Sequence, residues 1–148
     1  MNIIIKDLID LKNFADELCY MIKNNSIIML RGELGVGKTT LSGYILRKLL
    51  NNLEGFTSPT FNIVHTYYSE LKQCYIHHID LYRIKFYEEL SDIGFYDILS
   101  NNIVLVEWPE IAFPILKKIS SDRLMMIDLS FSSNDVRSVA LTTPCNIY

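Results

Sequence analysis

The chain has few cysteines: among its 148 residues only Cys19, Cys74 and Cys145. They are odd in number, far apart and never in a C-x-x-C pair, which argues against a disulfide framework and against a zinc site. Buried, reduced thiols are the expectation. An excess of positive charge is also missing, with a net charge of −3 and an isoelectric point near 5.6. A broad electrostatic grip on nucleic acid needs a basic surface, so at most a local basic patch remains. No apolar run approaches the roughly 18 residues of a membrane span. The opening "MNIIIKDLIDLKNF" has no basic segment leading into an apolar core and a small-residue cleavage site. The expectation is a cytoplasmic protein with no membrane partner. Repeats, low-complexity tracts and linkers are absent as well. With 49% apolar residues, the chain is expected to form a single domain, 1–148, around one hydrophobic core.

What is there alternates between strand and helix patterns. "NIII" reads as a short strand, and Leu11, Phe14, Ala15, Leu18, Met21 and Ile22 recur at helical spacing in the segment after it. "SIIML", Ser26 to Leu30, is an apolar run too short for a helix and predicts a buried strand. Leu41, Ile45 and Leu49 predict a helix from Thr39 to about Leu50 with one face on the core. "FNIVHTYY" and "CYIHHIDLY", separated by "SELKQ", predict an antiparallel pair of strands. Leu90, Ile93 and Ile98 around Gly94 predict one or two short helices, and "NIVLVEW" another buried strand. Pro109 and Pro114 punctuate a loop or broken helix. "RLMMIDLSF" and "VRSVALTT" read as closing strands around the turn "SSND". The fold class is α/β: a P-loop NTPase-like fold with a mixed parallel and antiparallel sheet flanked by helices.

Six glycines are few, yet three fall in "LRGELGVGKTTL". Gly32, Gly37, Lys38 and Thr39 fit G-x-x-x-x-G-K-[ST] between a strand and a helix. Glycines permit positive φ, so that several N–H groups turn inward, and the helix start adds partial positive charge. Lys38 is expected to reach the β- and γ-phosphates and Thr39 to bind Mg²⁺. Glu33, Leu34, Gly35, Val36 and Thr40 complete the stretch expected against a nucleoside triphosphate. N-K-x-D, the guanine-reading motif, is absent, so ATP is the expected nucleotide.

A phosphate loop needs an acid for the metal at the end of a hydrophobic strand. "IVLVEW" supplies Glu107 there, although a strand-end carboxylate can also simply meet solvent. His78 and Asp80 are two apart and share one strand face, while His77 points the other way. Read alone they fit an ordinary polar face of a partly exposed strand, but both could project into the nucleotide site, the Asp80 carboxylate orienting metal or water. Alternation would set Trp108 opposite Glu107, unless the strand ends at Glu107 and the chain turns before Pro109. In that case the indole lies beside the nucleotide. The five arginines include no lid segment after the phosphate-loop helix, which lowers the prospects of a nucleotide or small-metabolite kinase.

These landmarks together resemble the TsaE family, also known as YjeE, of the bacterial tRNA threonylcarbamoyladenosine pathway. The resemblance rests on "LRGELGVGKTT", "FTSPTFNIVHTYY", "HIDLYRI", "EELSDIGFYDIL", "IVLVEWPE" and "RLMMIDLSF" in the family's order, and it covers nearly the whole chain. It implies slow ATP hydrolysis by an accessory protein that docks on TsaB and TsaD, with tRNA met only through that complex. By the family's pattern, Thr60 in "SPTF" lies near the γ-phosphate, Asp80 is the essential acid of H-x-D, and Glu107 is the magnesium-associated acid. Two other readings stay open: the kinase just mentioned, and a module that senses ATP without hydrolysing it.

Overall fold

The computed structural model describes residues 1–51, 62–133, 135–145 and 147. Thr60, with the rest of "SPTF", lies outside the described residues. The chain opens with strand β1 (Asn2–Ile5) and helix α1 (Leu8–Met21). Asp7 starts α1, its carboxylate accepting N–H bonds from Ile9 at 2.8 Å and Asp10 at 2.9 Å. Leu11, Phe14, Ala15 and Leu18 form the buried stripe. The stripe predicted from spacing fails at its end. Met21 is exposed, whereas Ile22 is buried after the chain has left the helix for an extended conformation.

Strand β2 (Ile27–Arg31) leads through the glycine loop into α2 (Lys38–Leu50). Then come β3 (Val64–Ser69), β4 (Cys74–Asp80), the single-turn helices α3 (Glu89–Asp92) and α4 (Phe95–Ile98), and β5 (Ile103–Glu107). Pro109–Ala112 is a 3₁₀ turn continued by α5 (Phe113–Leu116), the broken helix that the two prolines predict. β6 (Leu124–Ser133) and β7 (Val136–Thr142) close the chain.

Among the described residues the strands form one seven-stranded sheet in the order β1-β7-β6-β2-β5-β4-β3. The inner four, β6, β2, β5 and β4, run parallel. The flanks β1, β7 and β3 pair antiparallel, which accounts for the short connection between β3 and β4. Ile28 and Leu30 pack into the cluster formed with α1 and α2, while Ile27 and Met29 face the one formed with α3, α4 and α5. Apolar residues on both faces suit a strand inside a covered parallel sheet. Cys19 and Cys145 are buried and Cys74 half-buried, all three as free thiols, and burial pushes the Cys19 thiol up to about 12. No helix among the described residues is long and apolar enough to cross a membrane.

Candidate functional site

Register assembles the site at the carboxyl ends of the parallel strands, where open α/β sheets bind their ligands. Glu107 pairs with Leu30 on one side, just before the glycine loop, and with Asp80 on the other. All three strand ends therefore converge on residues 32–39. The loop itself depends on close backbone approach. Gly32 has φ 143°, and a Cβ there would stand 2.3 Å from the Leu129 carbonyl oxygen of β6. Gly32→Ala is therefore expected to destabilise the fold by on the order of 3 kcal/mol, since neither the dihedral nor the strand carbonyl can yield cheaply. A urea midpoint equal to that of the parent would contradict this packing.

Gly37, at φ 115°, precedes α2 and gives it no side-chain cap, so the first-turn N–H groups are available to an anion. The Lys38 ammonium is folded back over the loop. It donates to the carbonyls of Gly32 at 2.6 Å and Glu33 at 2.8 Å and lies 3.9 Å from the Trp108 ring centroid. Burial lowers its pKa, partly offset by the field of Glu107, Asp80 and Glu110.

Glu107 does not meet solvent: it is 2% exposed. Thr39 Oγ1 donates to its Oε2 at 2.8 Å, Ser42 Oγ donates to Oε1 at 3.0 Å, and His78 Nε2 lies 2.7 Å from Oε1. Thr39 and Ser42 are three apart on α2 and so share the face turned to β5. His78 is fully buried, which corrects the expectation of a partly exposed polar strand face. Asp80, on the same face of β4, is half-buried and accepts the Tyr82 N–H at 2.9 Å. Burial raises the Asp80 pKa, the Tyr82 bond pulls it down, and Glu107 pushes it up again. His77 points the other way and meets Thr66 across the β3–β4 pair, as alternation predicts.

The strand carrying Glu107 ends there. Trp108 takes a left-handed conformation, φ 56° and ψ 57°, and donates its N–H to Leu30 O at 3.2 Å. Its ring lies beside Tyr82, with centroids 4.9 Å apart. A cleft of about 200 Å³ results, lined by Leu34, Gly35, Gly37, Lys38, Thr39, Thr40, Asp80, Tyr82, Glu107 and Trp108. Gly32 and Val36 support the loop from below, and Glu33 contributes its carbonyl. A second cleft of about 400 Å³ adjoins across Gly35, Gly37 and Thr40, walled by Ile5, Leu8, Leu11 and Leu129, with Asp7 and Arg137 at its edge. Sequence reasoning missed Ser42, Tyr82 and this second cleft. The i, i+3 spacing from Thr39 was the available signal for Ser42; the cleft joins residues more than a hundred positions apart.

Thr39 and Glu107 offer a hydroxyl and a carboxylate side by side, hard oxygen donors of the class that suits Mg²⁺. The described residues contain no cluster of three or more His, Cys, Asp or Glu able to hold a metal alone. That donor set fits a metal shared with phosphate oxygens, not an all-protein cage.

A family model described as "Threonylcarbamoyl adenosine biosynthesis protein TsaE" matches residues 5–139. The chain belongs to the TsaE family. A relative from Rickettsia bellii, named tRNA threonylcarbamoyladenosine biosynthesis protein TsaE, is 36% identical over 131 residues, 88% of this chain and 87% of its own. The equally named protein of Borreliella burgdorferi is 38% identical over 119 residues, 78% of this chain and 80% of its own. Among solved structures, Bacillus subtilis YdiB superposes with a TM-score of 0.67 at 22% identity, over 95% of this chain and 83% of that one. That likeness supports the P-loop fold seen in this TsaE-family chain.

Proposed function

We propose that this chain is the ATP-hydrolysing accessory protein of tRNA N6-threonylcarbamoyladenosine biosynthesis, a single cytoplasmic P-loop domain acting with TsaB-like and TsaD-like proteins. One observation carries the ATPase part: the phosphate-loop hydroxyl of Thr39 bonds Glu107 at the end of a neighbouring parallel strand, joining loop and acid in one site. The pathway follows from the family and its relatives' names. The loop and the start of α2 hold the triphosphate, and Lys38 exchanges two backbone carbonyls for β- and γ-phosphate oxygens. Base and ribose occupy the second, more apolar cleft. Thr39 and Glu107 would hold Mg²⁺, which supplies charge neutralisation to the phosphates. Asp80, at the cleft rim, orients the attacking water.

The small cleft has no lid among the described residues, so a docking surface that excludes water should speed hydrolysis. Weak turnover by the chain alone and clear stimulation by the TsaB and TsaD pair are expected, with free phosphate as product. A phosphorylated organic product instead would indicate a kinase, stoichiometric binding without turnover a sensor. Pull-down from cell extract with and without ATP tests the pathway directly: failure to recover TsaB-like and TsaD-like proteins under either condition would count against it.

Trp108, the only tryptophan in the chain, reports on the same exchange. The Lys38 ammonium sits on its face, and moving that charge to phosphate changes the field at the indole. A saturable change in tryptophan emission on adding Mg-ATP is expected, absent in Lys38→Ala and distinct from the response to Mg-ADP. Identical spectra for free and ATP-saturated protein, with binding confirmed independently, would refute the movement.

A further inference from the structure

Among the described residues, the Glu107 carboxylate accepts from two hydroxyls, and a buried ring completes its surroundings. Oε1 takes Ser42 Oγ and stands 2.7 Å from His78 Nε2, whereas Oε2 takes Thr39 Oγ1. A carboxylate offers only acceptors, so the close contact requires the proton of His78 on Nε2. With two donors Oε1 is filled. Oε2 keeps a lone pair beside Thr39, on the side of the phosphate loop.

Strand register pairs Glu107 with Asp80 and Leu105 with His78. The Glu107 side chain therefore leans back along β5 to meet His78, away from the Asp80 position beside it. Lys38 lies in the same cleft, and its field reaches Glu107. Without the donor at Oε1 from the β4 side, the carboxylate keeps only the hydroxyls of Thr39 and Ser42, both on α2, against the pull of that ammonium. His78 is the one of these three partners that holds the carboxylate from the β4 side.

We propose that His78 is a positioning residue that locks the rotation of the Glu107 carboxylate and presents Oε2 and Thr39 jointly to a nucleotide-bound divalent cation. The inference rests on the nucleotide-binding reading given above. It adds a role for the histidine of H-x-D that neither spacing nor strand alternation assigns.

The test compares the parent chain with His78→Leu and His78→Gln, the Gln amide nitrogen having about the reach of Nε2. Calorimetry with a non-hydrolysable ATP analogue measures the Mg²⁺ concentration at half-saturation and the affinity in EDTA. His78→Leu is expected to raise the Mg²⁺ midpoint about ten- to a hundredfold, as loss of an outer partner of a metal ligand does. Affinity in EDTA should stay within about twofold, since the loop contacts are untouched. His78→Gln should recover most of the loss, which a volume-filling role alone does not predict. An unchanged midpoint in His78→Leu, or a Gln variant no better than Leu, overturns the proposal. Should the Leu variant fail to fold, nitrogen NMR of isotope-labelled histidine in the parent chain still decides: a His78 Nε2 without its proton overturns it. Absence of any nucleotide binding by the parent removes the functional reading itself, whereas normal Mg²⁺-dependent binding retained in His78→Leu removes only this inference.

Discussion

Lys38→Ala is expected to bind Mg-ATP about a hundredfold more weakly than the parent, because charge-assisted bonds to phosphate contribute about 1.5–3 kcal/mol each and a tenfold change is 1.4 kcal/mol. The ammonium already lies over the loop, held by the Gly32 and Glu33 carbonyls, so its reach to the bound anion is short. Folding should suffer little. The ammonium is buried at a cost, which its lowered pKa registers, and removing it relieves that cost while freeing two carbonyls at the cleft edge. Calorimetric titration checks the affinity and a urea melt the stability. Parental affinity in a folded Lys38→Ala protein would remove Lys38 from the phosphate site.

Asp80→Ala and Glu107→Ala are expected to keep some nucleotide binding yet lose about a hundredfold or more in turnover, since placing metal and water acts mainly on the transition state. Their effects on stability should differ. Glu107→Ala strips a carboxylate acceptor from the buried Ser42 hydroxyl and from Thr39 and His78. Each buried group left without a partner costs about 1–3 kcal/mol. Asp80 is half-buried and accepts one backbone N–H, so its removal should cost far less. Single-turnover phosphate release and urea melts separate the two effects.

The Asp80 carboxyl also carries a pH signature. Burial lifts its pKa above the ordinary carboxylate value of 3.8, so turnover should fall on the acid side at a higher pH than an exposed aspartate would impose. The sign follows because the charged form is the one that accepts a proton or holds water, and raising the pKa removes that form earlier as pH drops. Asp80→Asn should abolish that acid limb along with most of the rate. A full-rate Asp80→Ala protein would return Asp80 to a merely structural place at the strand end.

Much of the site is legible in the sequence because its parts are local. The phosphate loop needs glycines, a lysine and a threonine at fixed offsets between a strand and a helix, and residues 26–50 carry both flanks in their periodicity. Glu107 emerges by the same logic, as the acid closing an apolar run. His78 is misjudged when read alone, because alternation tells which residues share a face but not whether another layer covers it. Trp108 shows the same limit. Pro109 hints at a turn, yet only the left-handed backbone at Trp108 brings the indole under Lys38.

Element types, the phosphate loop, the strand-end acid and the family can all be read along the chain, since each depends on residues close together or on motifs in order. The strand order β6-β2-β5-β4, and what that order joins, emerges only on folding. Thr39 and Ser42 meet Glu107 across 68 and 65 positions, and His78 meets it across 29. Such contacts follow from which strands become neighbours. That choice is made by the burial of both sheet faces at once, a property of the whole packed chain that no local window contains.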